Sequence, residues 1–428
     1  MTKIVCNQEI LAQMKIAIIG SGIAGNTLAY HLNKTHDITV FESGSHIGGH
    51  THTHRITHEG KVFNVDTGFI VFNDRTYPNF NALLDELKVE WRNSEMSFSV
   101  KNEKSGLEYN GTSLNTLFAQ RRNLLKPSFY RMIKDILRFN KTSLELLADG
   151  SEIKLGDYLK HHHYSQQFIT QYIVPMGSAI WSTEARQMLD FPARFFVRFF
   201  HHHGMLTVNN RPQWRTIVGG SARYAEALTA SFKHKIRLDT PIESVRRLKD
   251  TVSIKPINGN EESFDWVFMA CHSDTALSLL DDATDAEREI LGAIPYQENS
   301  IYLHTDAIVM PKRKLAWAAW NYHIAHQPSD RVAVTYDMNI LQGLVSKEHL
   351  FVTLNHTHDI NPAKVIKRLT YHHPVYTLAG AAAQARHAEI SGVNRTCYAG
   401  AYWRNGFHED GVVSALEAIK HFELASDA

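Results

Sequence analysis

The stretch that most constrains the fold is "MKIAIIGSGIAGNTLAYHLNKTHDITVFE", Met14 to Glu42. Ile16, Ala17, Ile18 and Ile19 form a short unbroken apolar run ending on glycine, the pattern of a strand buried on both faces of a parallel sheet. Gly20, Gly22 and Gly25 then fall in the spacing G-x-G-x-x-G, with Ala24, Leu28, Ala29 and Leu32 at helical spacing behind them. The chain is predicted to turn directly from strand into helix. A second strand, Ile38 to Phe41, ends on Glu42, about twenty residues past the glycines, where a carboxylate accepts ribose hydroxyls. The pyrophosphate would rest on the N–H groups at the helix start, beside Ile23 and Ala24. The pattern calls for an adenine dinucleotide and leaves open whether it is NAD or FAD.

The residues after Glu42 favour FAD. "SGSHIGGHTHTH" brings a second glycine pair, Gly48 and Gly49, followed by His50 and Thr51. With Glu42 and Ser43 this resembles the E-x5-G-G-[RH] pattern of flavoproteins with two dinucleotide-binding motifs, in which a second loop closes on the FAD pyrophosphate. "VDTGFIVFNDRTYPNF", Val65 to Phe80, resembles the next flavin-contacting turn of the same proteins, at Asp66, Thr67 and Gly68. The cofactor implied is FAD, held non-covalently.

A chain of 428 residues exceeds a single simple core. A net charge of +1 gives nucleic acid no footing as a partner. Three cysteines, Cys6, Cys271 and Cys397, make no disulfide framework, and no apolar run approaches a transmembrane span, so a cytoplasmic location is expected. Residues 1–13 lack a signal-peptide core and are expected to be an N-terminal extension.

The dinucleotide pieces are scattered. "RLDTPIESVRRLKDTVSIKP" alternates like a hairpin and "FDWVFMACHSDTALSLL" is a strand running into a helix, whereas Phe80 to about Pro212 has a mostly helical pattern and Ile301 to about Tyr376 is rich in strands. The expected architecture is α/β: a Rossmann-type FAD domain of residues 14–76, 213–295 and 395–428, interrupted by a mixed helix and sheet substrate domain of residues 77–212 and 296–394.

The C-terminal "RTCYAGAYWRNGFHEDGVVSALEAIKHFEL" is a strand reaching Gly400, an aromatic turn, and a helix with Val412, Leu416, Ile419 and Phe422 on one face. Asp410 is placed to cap it, and Gly411 lets a ligand approach its first turn. This resembles the last FAD motif of the amine oxidase and phytoene desaturase superfamily, whose helix N-terminus faces the flavin pyrimidine and stabilises the charge that reduction leaves there. The strings "VDTGFIVFNDRTYPN", "LFAQRRNLL", "GSAIWST", "DFPARFFVRFFHHHG", "RPQWRTIVGGS" and "GFHEDG" extend the likeness over nearly the whole chain. They resemble a bacterial branch of NAD/FAD-binding, amine-oxidase-like flavoproteins often encoded beside cyclopropane-fatty-acid synthase. The resemblance implies FAD on Gly20, Gly22, Gly25 and Glu42, with Gly48 to Thr51, Asp66 to Gly68 and Glu409 to Gly411 around it. It also places the backbone of Ile242 against adenine and implies an oxidoreductase acting on membrane fatty acyl chains.

Departures sharpen the expectation. Amine oxidases of the superfamily commonly carry a tyrosine three residues before the last-motif glycine, one wall of an aromatic cage for the amine. Here His408 stands there, after Phe407, and Arg404 and Asn405 replace the branch's usual glycine and tyrosine. His408, Tyr402 and Trp403 are the flavin-proximal candidates. The phenylalanine-dense segment from Asp190 to Leu206 reads as core, as the wall of an acyl-chain tunnel, or as a surface dipping into the bilayer with Arg194 and Arg198 on phosphate. Partners expected are an apolar small molecule or lipid and, peripherally, a membrane. His50, His52 and His54 alternate and would share a strand face, but no H-E-x-x-H or C-x-x-C is present and no metal is expected. No G-x-S-x-G elbow or P-loop supports acyl or phosphoryl transfer. Acyl-chain oxidation, redox-neutral isomerisation, amine oxidation and non-catalytic lipid binding all stay open.

Overall fold

The strand Lys15–Ile19 lies at the centre of a five-stranded sheet. Its neighbours are Asp37–Phe41 on one side and Trp266–Met269 on the other; Ile236–Arg237 and Thr396–Tyr398 form the edges. Every pairing is parallel. Connections leave the central strand in both directions, so a crevice opens at its carboxyl end, where doubly wound sheets bind ligands. Ile16 and Ile18 are fully buried and pack with Leu28 and Leu32 of the helix Ile23–Leu32, with Phe268, and with Phe422 of the helix His408–Ser426. Beside this sheet, Ile242–Arg247, Val252–Pro256 and Glu262–Phe264 form an antiparallel three-stranded sheet that begins with the expected hairpin. The Rossmann-type fold is present as expected.

The computed structural model describes residues 13–148, 153–207, 209–326 and 331–426. The expected extension therefore lies, except for residue 13, outside the described residues, as does Cys6. By backbone contacts the chain forms two units. The first holds the residues up to Gly49, Ala225–Gly292 and those from Arg386 onward; the second holds His50–Tyr224 and Ala293–Ala385. These bounds differ from the sequence-based ones, chiefly at 50–76 and 213–224. The hairpin Thr53–His58 with Lys61–Asp66 is tied into the second unit, because Asp66 bonds Ser221 and Gln342 there. Residues 386–394 join the first unit, where His387 Nε2 lies 2.8 Å from the carbonyl of Tyr398.

The second unit carries a seven-stranded sheet in the order Val365–Pro374, Tyr296–His304, Phe351–Leu354, Val334–Asp337, Trp320–Ile324, Phe98–Asn102, Leu107–Asn110. The last two strands, and Trp91–Asn93 before them, interrupt a stretch from Phe80 onward that is otherwise mostly helical, as expected. Helices follow, including Pro127–Thr142, Val174–Trp181 and Ala193–His202. In the last of these the phenylalanines are buried and Arg194 and Arg198 are exposed. Phe196 stacks on Phe200 with ring centroids 4.1 Å apart, and Phe199 lies 4.8 Å from Trp181. The segment is packed core, which removes the bilayer-dipping alternative for it. Among the described residues no helix is long and apolar enough to cross a membrane.

Candidate functional site

Within the first unit, the glycine loop divides its labour. Gly20 sits at φ +106°, and a Cβ on it would lie 2.7 Å from the Ala270 carbonyl oxygen; one on Gly25 would lie 1.9 Å from the Gly20 oxygen. Both serve the turn itself. A Cβ on Gly22 would meet nothing within 4 Å, so the space in front of it is open. Gly22 caps the helix Ile23–Leu32 with no side-chain hydrogen bond, and the first N–H groups of a helix have no partner within it. The second glycine pair closes on this loop: Gly49, at φ +58°, would bring a Cβ 3.2 Å from the Gly22 Cα, and the Gly48 N–H donates to Ser21 Oγ at 3.4 Å.

Glu42 is fixed by its own surroundings. Its Oε2 accepts from the Ser21 N–H at 2.9 Å and the Ser21 hydroxyl at 2.7 Å, and its Oε1 from the Gly44 N–H at 2.8 Å. Ser43 Oγ stands at 3.5 Å. A carboxylate has about four acceptor positions, and the four donors occupy them, so a ribose hydroxyl would take the place of the long Ser43 contact. Ser21 and Gly44 were not singled out from the sequence; a hydroxyl inside the glycine loop was the available signal. The Thr240 N–H donates to the Glu42 carbonyl at 2.8 Å, which brings buried Ile242, first residue of its strand, into the same neighbourhood.

The C-terminal helix meets this loop inside the same unit. A Cβ on Gly411 would lie 2.6 Å from Ile23 Cγ2, so the helices Ile23–Leu32 and His408–Ser426 touch at their N-terminal turns. Asp410 caps its helix by reaching back, its Oδ2 accepting from the Phe407 N–H at 2.9 Å. Burial pushes its carboxyl up to about 6. The Gly400 N–H donates to Ser414 Oγ at 2.8 Å, and the Tyr402 ring fills the place where a Gly400 side chain would stand. Tyr402 and Trp403 are buried on the turn that packs against the helix; Trp403 stacks on His387 at 4.0 Å, and its Nε1 is buried without a hydrogen-bond partner. His408 and Glu409 are buried, and burial lowers the His408 ring to about 3, favouring its neutral form. The buried face of the helix runs through Val412, Ala415, Ala418 and Phe422, with Leu416 and Ile419 only partly covered. Two helix N-termini, an open face at Gly22, and a carboxylate whose weakest donor, Ser43, can give way to a hydroxyl fit a pyrophosphate, a ribose and a ring that gains negative charge on reduction. These residues fit FAD.

Within the second unit, His50, Thr51, Asp66, Thr67 and Gly68 form one tight crossing. The Phe69 N–H donates to the His50 carbonyl at 2.8 Å, and a Cβ on Gly68 would lie 2.0 Å from that oxygen. Thr51 Oγ1 bonds the Tyr224 hydroxyl, and Thr67 Oγ1 bonds that of Tyr371 at 2.7 Å. Asp66 is fully buried and accepts from the Ser221 N–H, the hydroxyls of Ser221 and Thr53, and Gln342 Nε2. Burial raises its carboxyl to about 7 against the pull of those donors. The Asp66 side chain is therefore occupied in holding the crossing together. His52 and His54 share a face as expected, with ring centroids 4.0 Å apart. A different trio, His356, His358 and Asp359, places ligand-type atoms within 4.8 Å of one another, which spacing had not suggested.

Comparison with known proteins agrees with this geometry. The family described as "Flavin containing amine oxidoreductase" matches residues 23–321. A curated L-amino-acid oxidase from Siganus canaliculatus is 22% identical over 263 residues, 56% of this chain and 45% of its own; the chain thus spans less than half of that relative. A putrescine oxidase variant with redesigned cofactor binding superposes with a TM-score of 0.69 at 14% identity, covering 96% of this chain and 99% of that one. A fatty acid isomerase from P. acnes, described as producing CLA, gives 0.68 at 15% identity, covering 96% and 98%. The chain belongs to the flavin containing amine oxidoreductase family, and its cofactor is FAD.

Proposed function

We propose that the protein removes a hydride from an apolar substrate, a modified unsaturated fatty acyl chain, with FAD as first acceptor. The observation that carries this is His408: buried, uncharged, and standing where amine-oxidising members of the superfamily commonly offer a phenol to an amine. The fold likeness to a fatty acid isomerase and the resemblance to a branch encoded beside cyclopropane-fatty-acid synthase support the same substrate class.

In this reading FAD is held non-covalently along Gly20, Gly22, Gly25 and Glu42, with Gly48 and Gly49 closing on the glycine loop. When bound, it supplies the hydride acceptor and the hard step. The first turn of His408–Ser426, with Glu409 to Gly411, lends its partial positive charge to the negative charge that arrives with the electrons. The substrate also gives up a proton, which passes to water. A ring titrating near 3 is a poor base at neutral pH, so His408 shapes the pocket and does not collect that proton. A long chain needs no ionic anchor, since burial contributes roughly 25 cal/mol per Å² of apolar area.

The isomerase likeness favours one alternative, a double-bond shift without net oxidation. Mass spectrometry of acyl chains from cells with and without the protein separates the two. Chains two hydrogens lighter in its presence support oxidation, chains of equal mass with a moved double bond support isomerisation, and an unchanged profile contradicts the fatty acyl assignment.

A further inference from the structure

The chain as a whole carries a net charge of +1, yet between Gly111 and Ser143 seven lysines and arginines face a single acid, Asp135. This stretch folds as a short helix Leu114–Leu117, a tight turn Arg121–Leu125 and the helix Pro127–Thr142. Beside it, in the same unit, opens a cavity of about 590 Å³ whose charged lining is Lys101, Arg121, Arg122, Lys312 and Arg313 against Glu103 and Glu108. Both acids are already engaged. Glu108 accepts from the N–H groups of Lys312 and Arg313 at 2.9 and 3.0 Å, and Glu103 from the N–H of His326 at 3.0 Å.

Apolar side chains stand out into solvent around these cations. Leu125 is 88% exposed and Leu114 76%, while Leu124, Ile308 and Leu315 are exposed as well. The turn does not fold them away, because the Tyr130 hydroxyl donates to the Leu124 carbonyl at 3.0 Å and fixes it. Arg121 donates to the oxygens of Asn115 and Phe118 and Arg122 to the Gly106 carbonyl, neutral partners that leave their charge uncompensated. Leucines interleaved with such cations gain nothing in water and suit a layer that is anionic at its surface and apolar beneath.

We propose that this face docks on an anionic phospholipid surface, with Leu114, Leu124 and Leu125 entering the headgroup layer and the cavity cations taking lipid phosphate. The proposal goes beyond the redox assignment and is measured without turnover. The FAD-loaded protein is sedimented with phosphatidylcholine vesicles, with and without phosphatidylglycerol. It should bind only the phosphatidylglycerol vesicles, and less so at high salt. The double variant Arg121→Glu/Arg122→Glu and the single variant Leu125→Asp, all at exposed positions, should stay folded and yellow and bind about ten-fold or more weakly. Inorganic phosphate matching the buffer's ionic strength should not displace the protein further than chloride does. Absence of binding to anionic vesicles, binding unchanged in both variants, or specific displacement by inorganic phosphate, which would mark a free-anion site, overturns the proposal.

Discussion

Gly22 and Gly25 stand three residues apart in one loop and answer to different constraints. Gly25 is needed by the chain, whose own carbonyl occupies the space a methyl would take; Gly22 borders open space. Gly25→Ala should therefore lower the melting temperature and FAD content together, whereas Gly22→Val should keep the fold and lose FAD. Absorbance at the flavin band with a thermal melt on the same sample checks both. Glu42→Ala should weaken FAD binding by about 1.5–3 kcal/mol, the scale of a charged hydrogen bond, and also loosen the loop, since Ser21 and Gly44 lose their acceptor. Asp66 gives a pH test. Its folded pKa, about 7, lies above the ordinary 3.8, so across that window the folded state keeps a proton the unfolded state has released. Its contribution to stability is present below the window and is lost as pH rises through it. Asp410 acts in the same direction, so the comparison must be with Asp66→Asn, whose stability should fall less steeply from pH 4 to 7 although it is lower throughout. Equal slopes would show that Asp66 is ionised across the range.

The elements were legible where one periodicity ruled. The strand, glycine turn and helix from Lys15 to Leu32 were read directly, because burial on both faces forces an unbroken apolar run and the turn forces glycine. The strands Phe98–Asn102 and Leu107–Asn110 were missed because they bury Lys101, Asn102, Glu108 and Asn110, which hides the alternation a half-buried strand normally displays. The C-terminal helix was read with a face through Leu416 and Ile419, but the close approach of its neighbours selects the small Ala415 and Ala418 instead. The phenylalanine-rich helix left three interpretations, and packing selects core. Phe196→Asp should unfold the protein and release FAD together, because Phe196 is fully buried and a Cβ on Gly177 would already lie 2.7 Å from its ring. Arg194→Ala on the exposed side should leave the melting temperature within about 0.5 kcal/mol equivalent of the parent. A stable, yellow Phe196→Asp protein would instead restore the tunnel-wall interpretation.

At the scale of the whole molecule, sequence reasoning found the dinucleotide fold and the scattering of its pieces along the chain, and placed the unit boundaries differently. The mismatch has a local cause: a single buried carboxylate, Asp66, ties residues 50–76 to Ser221 and Gln342, and no motif announces such a tie. The chain's family is that of the flavin containing amine oxidoreductases, and hydride removal from an acyl chain is the step proposed beyond it. The most direct test is anaerobic mixing of the purified, FAD-loaded protein with two panels, unsaturated or methylated acyl lipids and primary or polyamines, while the flavin absorbance is followed. The account predicts lasting bleaching by at least one lipid and none by any amine; rapid bleaching by an amine with no response to any lipid would contradict it.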